Sequence, residues 1–279
     1  MLTASELKSL LRDHGLRLTK RLGQNHLTDP RIALRVVQGC GLAREARVVE
    51  IGGGLGALTE LLAQHAGRVV TVEIDRGIAE LLTQRMRPFP NVTVACEDIL
   101  EFDWSSRAGS IVVGAIPYHI TSPILVSLSE HRAAIDRAVL IVQQEVARRM
   151  VAAPGSSAYG RLTILTQYGW ETAKLFDIPR SAFYPQPDVD STCLRLTARR
   201  EPAARVQDEP WFFDVVKAAF SQRRKTLANC LISAPAGLGR AEVEHALRSM
   251  GLSPAIRGET LSLSQFAALA QTLAKARIS

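Results

Sequence analysis

Apolar and polar residues alternate along this chain in two rhythms. Arg47–Ile51, Val69–Ile74, Val92–Cys96, Ser110–Gly114 and Ala138–Gln143 are short, β-branched apolar runs, as expected of strands buried on both faces. Between them, Leu58–His65, Arg76–Met86 and Ser122–His131 repeat their apolar residues at helical spacing. Strands alternating with helices need crossover connections, which predicts an α/β fold with a parallel sheet and helices on both faces. Residues 1–22 read as an amphipathic helix (Leu7, Leu10, Leu11, His14, Leu18) running into a basic arm, Arg17, Lys20 and Arg21. The Pro-rich stretch Phe183–Asp190 precedes a last strand-like run, Thr192–Leu196, and the charged Thr197–Asp208 with Pro202 reads as a linker. Beyond it Pro210–Leu231, Arg240–Met250 and Ser264–Ala276 are helical, the last opened by the capping-box pattern Ser262-Leu263-Ser264-Gln265. The expected division is an arm plus α/β domain over residues 1–199 and a small all-α domain over 206–279.

Composition narrows this without deciding it. With 47% apolar and 22% charged residues in 279, wholesale disorder and fibrous repeats are excluded. Lys+Arg number 34 against 27 Asp+Glu, a net +7, and only 6 of the cations are Lys. Arg grips phosphate in a planar, two-pronged way that Lys cannot reproduce. A GC-rich genome also raises Arg, so clustering has to decide. Cys40, Cys96, Cys193 and Cys230 form no close pair of the kind that zinc or redox chemistry needs, and no metal is expected. No apolar run approaches the ~20 residues of a membrane span, and the first twenty residues lack a secretory core; a cytoplasmic protein with no membrane partner is expected.

The sharpest local signal is Val48-Val49-Glu50-Ile51-Gly52-Gly53-Gly54-Leu55-Gly56-Ala57-Leu58. Glycines between a strand and a helix let backbone approach a ligand where a Cβ would clash. Gly52, Gly54 and Ala57 also satisfy the G-x-G-x-x-G/A pattern of NAD enzymes, so the turn alone says only that the ligand is nucleotide-like. The next strand ends in Glu73, placed to hold the hydroxyls of a ribose, and the one after ends in Glu97-Asp98. Each acid alone would be an ordinary solvated loop residue. At successive strand ends in register with the turn, they favour an adenosyl site. The fourth strand then ends in Gly114-Ala115-Ile116-Pro117-Tyr118, similar to the N/D-x-P-Y/F/W motif of S-adenosylmethionine-dependent amino-methyltransferases. A dehydrogenase is a distant alternative, with no evident His or Tyr-Lys proton relay.

Taken together these motifs resemble the bacterial 16S rRNA adenine N6,N6-dimethyltransferases over nearly the whole chain. The resemblance includes Lys20–Leu27 (KRLGQNHL), Gln143–Ala147, Ala158–Leu162, Phe183–Pro187 with Val189-Asp190-Ser191, and Phe220–Leu227 (FSQRRKTL). It implies a Rossmann-like class I S-adenosylmethionine-dependent methyltransferase domain with a helical C-terminal domain that docks on RNA. It implies that Asn25 and Leu27 close over the cofactor, that Gly52 and Gly54 underlie it, and that Glu73 and Asp98 take its ribose and adenine. Ala115, at the family's Asn position, belongs to both the cofactor and the catalytic set, with Ile116 and Pro117, while Tyr118 and Phe183 sandwich a flipped base.

Position 115 departs from the family. An Asn side-chain oxygen and the backbone carbonyl of the next residue, here Ile116, would accept the amine's N–H groups; Ala115 keeps only the second. A water or a neighbour such as His119 could replace it, the alanine could be a substitution introduced to trap a complex, or the chain could bind rRNA without catalysis. Gln144 replaces a usual Lys, and Asp188 stands where Lys commonly follows the proline run. Three basic clusters, Lys20-Arg21, Arg148-Arg149 and Arg223-Arg224-Lys225 (the last read as lying on the appendage's first helix), are expected on RNA phosphates. The expected protein is a monomer that methylates two adjacent adenosines in the 3′-terminal hairpin of 16S rRNA within the 30S subunit or its precursor. The alternatives are a 23S rRNA adenine methyltransferase of the macrolide-resistance type and a catalytically weakened rRNA-binding assembly factor.

Overall fold

Strand order, more than any single element, decides where a ligand can sit in this molecule. The computed structural model describes residues 1–18, 23–117, 120–233 and 238–276. The chain opens with α1 (Ala4–Asp13), β1 (His26–Leu27) and α2 (Pro30–Gly39), then β2 (Arg47–Ile51), α3 (Thr59–His65), β3 (Arg68–Val72), α4 (Arg76–Met86) and β4 (Val92–Ala95). It continues with β5 (Ser110–Ala115), α5 (Thr121–Glu130), β6 (Ile135–Gln143), α6 (Gln144–Met150), α7 (Arg161–Gly169), β7 (Trp170–Ile178), β8 (Phe183–Tyr184) and β9 (Ser191–Ala198). Four helices close it: α8 (Glu209–Ala219), α9 (Leu227–Ile232), α10 (Arg240–Ser249) and α11 (Leu263–Ala276).

Seven strands lie in the order β4-β3-β2-β5-β6-β9-β7. From β2 the chain steps outward through β3 to β4, then returns to lay β5 along the other side of β2, both pairs parallel. This reversal opens a crevice beyond the carboxyl ends of β2 and β5, where ligands of open α/β sheets bind. The expected all-parallel sheet is corrected at β9, which runs antiparallel to β6 from Ser191↔Gln143 to Thr197↔Arg137. Between β7 and β9, neighbours at this end of the sheet, the chain passes through the Pro-rich stretch with no α-helix, so no crossover of the βαβ kind sets the direction of β9.

One apolar cluster joins Val36 and Val37 of α2 and Leu62 of α3 to Val48, Val69, Val113, Val139 and Cys193 of the sheet. Caps hold the helices in place: Asp29 accepts from the amides of Arg31 and Ile32 ahead of α2, with Pro30 at the first turn. Asp75 does the same for Ile78 of α4. Residues 1–22 do not form one helix; α1 stops at Asp13, and Gly15 adopts a left-handed φ of 64°. Lys20 and Arg21 lie outside the described residues.

The chain divides into two compact units, Met1–Ala147 with Glu171–Ala198, and Arg148–Trp170 with Arg199–Ser279. The second unit therefore takes a segment, Arg148–Trp170, that the expected boundary left in the α/β domain. Burial explains it: Tyr159, Ile164 and Tyr168 share a cluster with Phe212, Leu231, Leu247 and Phe266. Within this unit the Tyr159 hydroxyl donates to the Leu261 carbonyl at 2.8 Å, and Trp211 Nε1 to that of Ala270 at 2.9 Å. The expected cap on α11 is present, since Ser262 N–H donates to Gln265 Oε1 at 2.9 Å and Gln265 N–H returns to Ser262 Oγ at 3.3 Å.

The expected helix Pro210–Leu231 is two helices. After Phe220 caps α8, the Thr226 side chain accepts from Asn229 N–H and starts α9. Arg223, Arg224 and Lys225 consequently stand in an exposed loop and not on a helix. Among the described residues no helix is long and apolar enough to cross a membrane, and no group of three or more His, Cys, Asp or Glu could hold a metal ion.

Candidate active site

At the switch point a cleft of about 880 Å³, its open mouth included, is walled by the glycine turn, the ends of β3, β4 and β5, and residues 23–27. Gly52 sits at φ 72°, and the position a Cβ would take has nothing within 4 Å. Backbone here faces open space in a conformation that a side chain would strain. Gly54, at φ 54°, is covered instead: a Cβ would lie 2.7 Å from Nδ1 of His26.

Glu73 follows β3 and is 6% exposed. Its two oxygens accept the N–H groups of Gly54 and Asp75, each at 3.0 Å, so the same carboxylate that faces the cleft also ties the turn to α4. Burial pushes its pKa up, against the pull of those backbone N–H groups. Asp98, beyond β4, is half-buried and accepts the Leu100 amide at 3.0 Å. Asn25 and Leu27, beside and on β1, also line the cleft, and β1 pairs with β8 through His26↔Tyr184 and Leu27↔Phe183. Ala115 and Pro117 also line the cleft, while Ile116 is buried with its N–H donated to the Ile141 carbonyl at 2.9 Å.

The structure thus brings Asn25, Leu27, Gly52, Gly54, Glu73, Asp98, Ala115 and Pro117 to one cleft. It does not bring Phe183 there: that ring is 5% exposed and packs in the core with Leu27 and Ala182. Tyr118 lies outside the described residues. Arg148 and Arg149, at the end of α6, and Arg223, Arg224 and Lys225 are exposed in the helical unit, where Arg223 donates to the Ser157 carbonyl at 2.5 Å.

Four wall residues carry no role in the sequence pattern as read above. Glu50 is fully buried, accepts the Thr59 hydroxyl at 2.6 Å, and has its pKa pushed up to about 7 by burial. Its place directly before the glycine turn was a legible signal. Ile74, 51% exposed between two acids, and the buried Ile99 bring apolar surface to the cleft. An exposed isoleucine at a strand end was the clue there. The fourth is His26, whose neutral ring nothing in the linear pattern distinguishes.

A doubly flanked, mostly parallel sheet with a glycine-turn cleft at its switch point, followed by a helical unit, defines the Rossmann-like class I methyltransferase fold. Within that class the chain belongs to the ribosomal RNA adenine dimethylase family, whose model matches residues 15–275. It is 41% identical over 281 residues to the ribosomal RNA small subunit methyltransferase A of Anoxybacillus flavithermus, covering 97% of this chain and 95% of that protein. Identity to the protein of the same name from Streptococcus pneumoniae is 43%, covering 96% of each. Among solved structures, a dimethyladenosine transferase from Plasmodium falciparum matches with a TM-score of 0.77 and 25% identity, over 89% of this chain and 97% of that one. The 23S rRNA methyltransferase ErmE matches with a TM-score of 0.68 and 29% identity, over 90% and 100%.

Proposed function

We propose that the chain is an S-adenosylmethionine-dependent methyltransferase that dimethylates N6 of two adjacent adenosines in the 3′-terminal hairpin of 16S rRNA, within the 30S subunit or its precursor. The observation that carries the reading is the cleft itself, where Gly52 leaves open space over left-handed backbone in a lining that also holds Glu73 and Asp98. These residues fit the cofactor: four acidic side chains suit its cationic groups, and the apolar Ile74 and Ile99 suit a purine ring. When bound, it supplies a methyl group on a sulfonium sulfur, activated for displacement by an amine.

The chain's own part is to hold and exclude. Glu73 takes the ribose hydroxyls and Asp98 the adenine amino group; Asn25 and Leu27 cover them. The target amine is aligned at the end of β5, where the Ile116 carbonyl accepts one N–H, and Ala115 offers no second acceptor. With Phe183 packed in the core, stacking of the flipped base falls to Tyr118. The exposed Arg148, Arg149, Arg223, Arg224 and Lys225, with Lys20 and Arg21, contact rRNA phosphates.

The identity over almost full length to proteins named for the small subunit favours 16S rRNA as the target over 23S rRNA. Mass spectrometry of the 16S 3′ hairpin after incubation with undermethylated 30S subunits tests this. One and two added methyl groups on adjacent adenosines are expected. Methylation of isolated 23S rRNA but not of 30S subunits would move the chain to the macrolide-resistance type. Cofactor binding without transfer to either would make it an assembly factor disabled at Ala115.

A further inference from the structure

The cleft is rich in acceptors and short of donors. Its described lining includes the carboxylates of Glu50, Glu73, Glu97 and Asp98 and contains no Lys, Arg, Ser or Thr. Three backbone amides of the turn are committed: Gly52 N–H to the Val72 carbonyl at 2.8 Å, Gly54 N–H to Glu73 at 3.0 Å, and Gly56 N–H to the Gly53 carbonyl at 2.9 Å. Among the described lining residues, only Gln24, Asn25 and His26 bring side-chain N–H groups. Gln24 donates to Asp75 at 3.0 Å, and Asn25 reaches the Gly23 carbonyl at 3.4 Å.

His26 is different. Its Nε2 is buried and has no hydrogen-bond partner. The ring closes over Gly54, where a Cβ would lie 2.7 Å from Nδ1 and 2.9 Å from Cε1, so only a glycine admits it. A buried nitrogen left unpaired forfeits its hydration for nothing, and that cost survives where a ligand relieves it. Burial holds the imidazole neutral, its pKa pulled down to about 4, so one ring nitrogen keeps its hydrogen throughout the physiological range.

We propose that His26, through Nε2–H, is the side chain that receives the carboxylate at the amino-acid end of S-adenosylmethionine. The inference rests on reading this cleft as the S-adenosylmethionine site. The acidic lining attracts the sulfonium and ammonium groups but repels the single carboxylate, which needs a side-chain donor to offset that repulsion. Nε2 of His26 meets that need without bringing a charge that would compete with the sulfonium for the acids.

Calorimetry with two ligands tests it. S-adenosylhomocysteine carries the amino-acid end; 5′-methylthioadenosine has the same nucleoside and lacks that end. His26→Phe keeps a ring over Gly54 and removes both nitrogens. It is expected to weaken S-adenosylhomocysteine about 10- to 100-fold and to leave methylthioadenosine unchanged. Equal losses for both ligands, or no loss for either, would overturn the assignment. Failure of the unmodified chain to bind either ligand would overturn the reading of the cleft itself. A second measurement needs no variant: nitrogen NMR of histidine-labelled protein at pH 5, where the His26 ring stays neutral. Its Nε2–H resonance is expected to move on adding S-adenosylhomocysteine but not methylthioadenosine; an unmoved resonance counts against the contact.

Discussion

With alanine at position 115, where the family it resembles carries an amide, the proposed reaction has one acceptor fewer in the cleft. Losing one transition-state hydrogen bond is typically worth about 2–4 kcal/mol, roughly 30- to 1000-fold in rate. Ala115→Asn is therefore expected to speed methyl transfer to undermethylated 30S subunits by that factor in single-turnover assays, with cofactor affinity changing far less. Equal rates would show that the Ile116 carbonyl suffices. Two other residues give the protein opposite responses to pH. The folded pKa of Glu50 is raised from 4.5 to about 7, so its contribution to stability is full below pH 4.5 and is lost as pH rises to 7. That of His26 is lowered from 6.5 to about 4, so its contribution is full above pH 6.5 and is lost as pH falls to 4. Between pH 4.5 and 6.5 the two slopes oppose each other. Denaturation across pH 4–8 is expected to unmask each: Glu50→Gln removes the loss on the alkaline side, and His26→Phe the loss on the acid side, each by up to about 3 kcal/mol. Variant and parent curves that run parallel would contradict both assignments.

At the scale of elements, the break between α8 and α9 matters most, because it moves Arg223-Arg224-Lys225 from a helix face into a loop. Thr226 makes that break: its side chain accepts the Asn229 amide at 3.4 Å and fixes where α9 begins. Thr226→Ala is expected to cost about 1 kcal/mol in urea denaturation, with α9 fraying and the basic loop lengthening. An unchanged midpoint would mean that tertiary packing of Leu227 and Leu231 sets the helix start instead. Apolar periodicity could not show this boundary, since Pro210–Leu231 is helical in spacing throughout; only the Thr at position 226 signalled it. Elements with both a pattern and an end signal were legible: β2 with its glycine turn and α11 with its capping box. β7 was not. It lies at the edge of the sheet, next to β9, with much of its surface exposed, so no buried apolar run marks it. The cleft was legible where strand ends carry acids, because sheet order alone brings them together. His26 was not, since its importance comes from its place over Gly54, a meeting of segments far apart in the sequence.

On the scale of the whole molecule, the two proposed tasks, cofactor binding and RNA docking, differ in the charge they need. The α/β unit holds a cleft lined by four carboxylates, whereas exposed arginines and a lysine stand in the loop between α8 and α9 of the helical unit. An excess of 7 positive charges therefore coexists with an acidic cleft. The same sign could not serve both, because phosphates need cations while a sulfonium needs carboxylates. This separation makes the functions independently removable. Replacing Arg223, Arg224 and Lys225 together with alanine is expected to weaken binding to 30S particles and to flatten its salt dependence. Removing one cation from a phosphate lowers the slope of log K against log salt by about 0.7–0.9, so removing three lowers it by roughly 2–3. S-adenosylhomocysteine affinity is expected to stay at the parent value, since the cleft and its acids are untouched. A reduced affinity at every salt concentration with an unchanged slope would show that the loop acts by shape and not by neutralising phosphate. An unchanged affinity would remove the loop from the RNA interface and leave that role to Arg148, Arg149 and the basic arm.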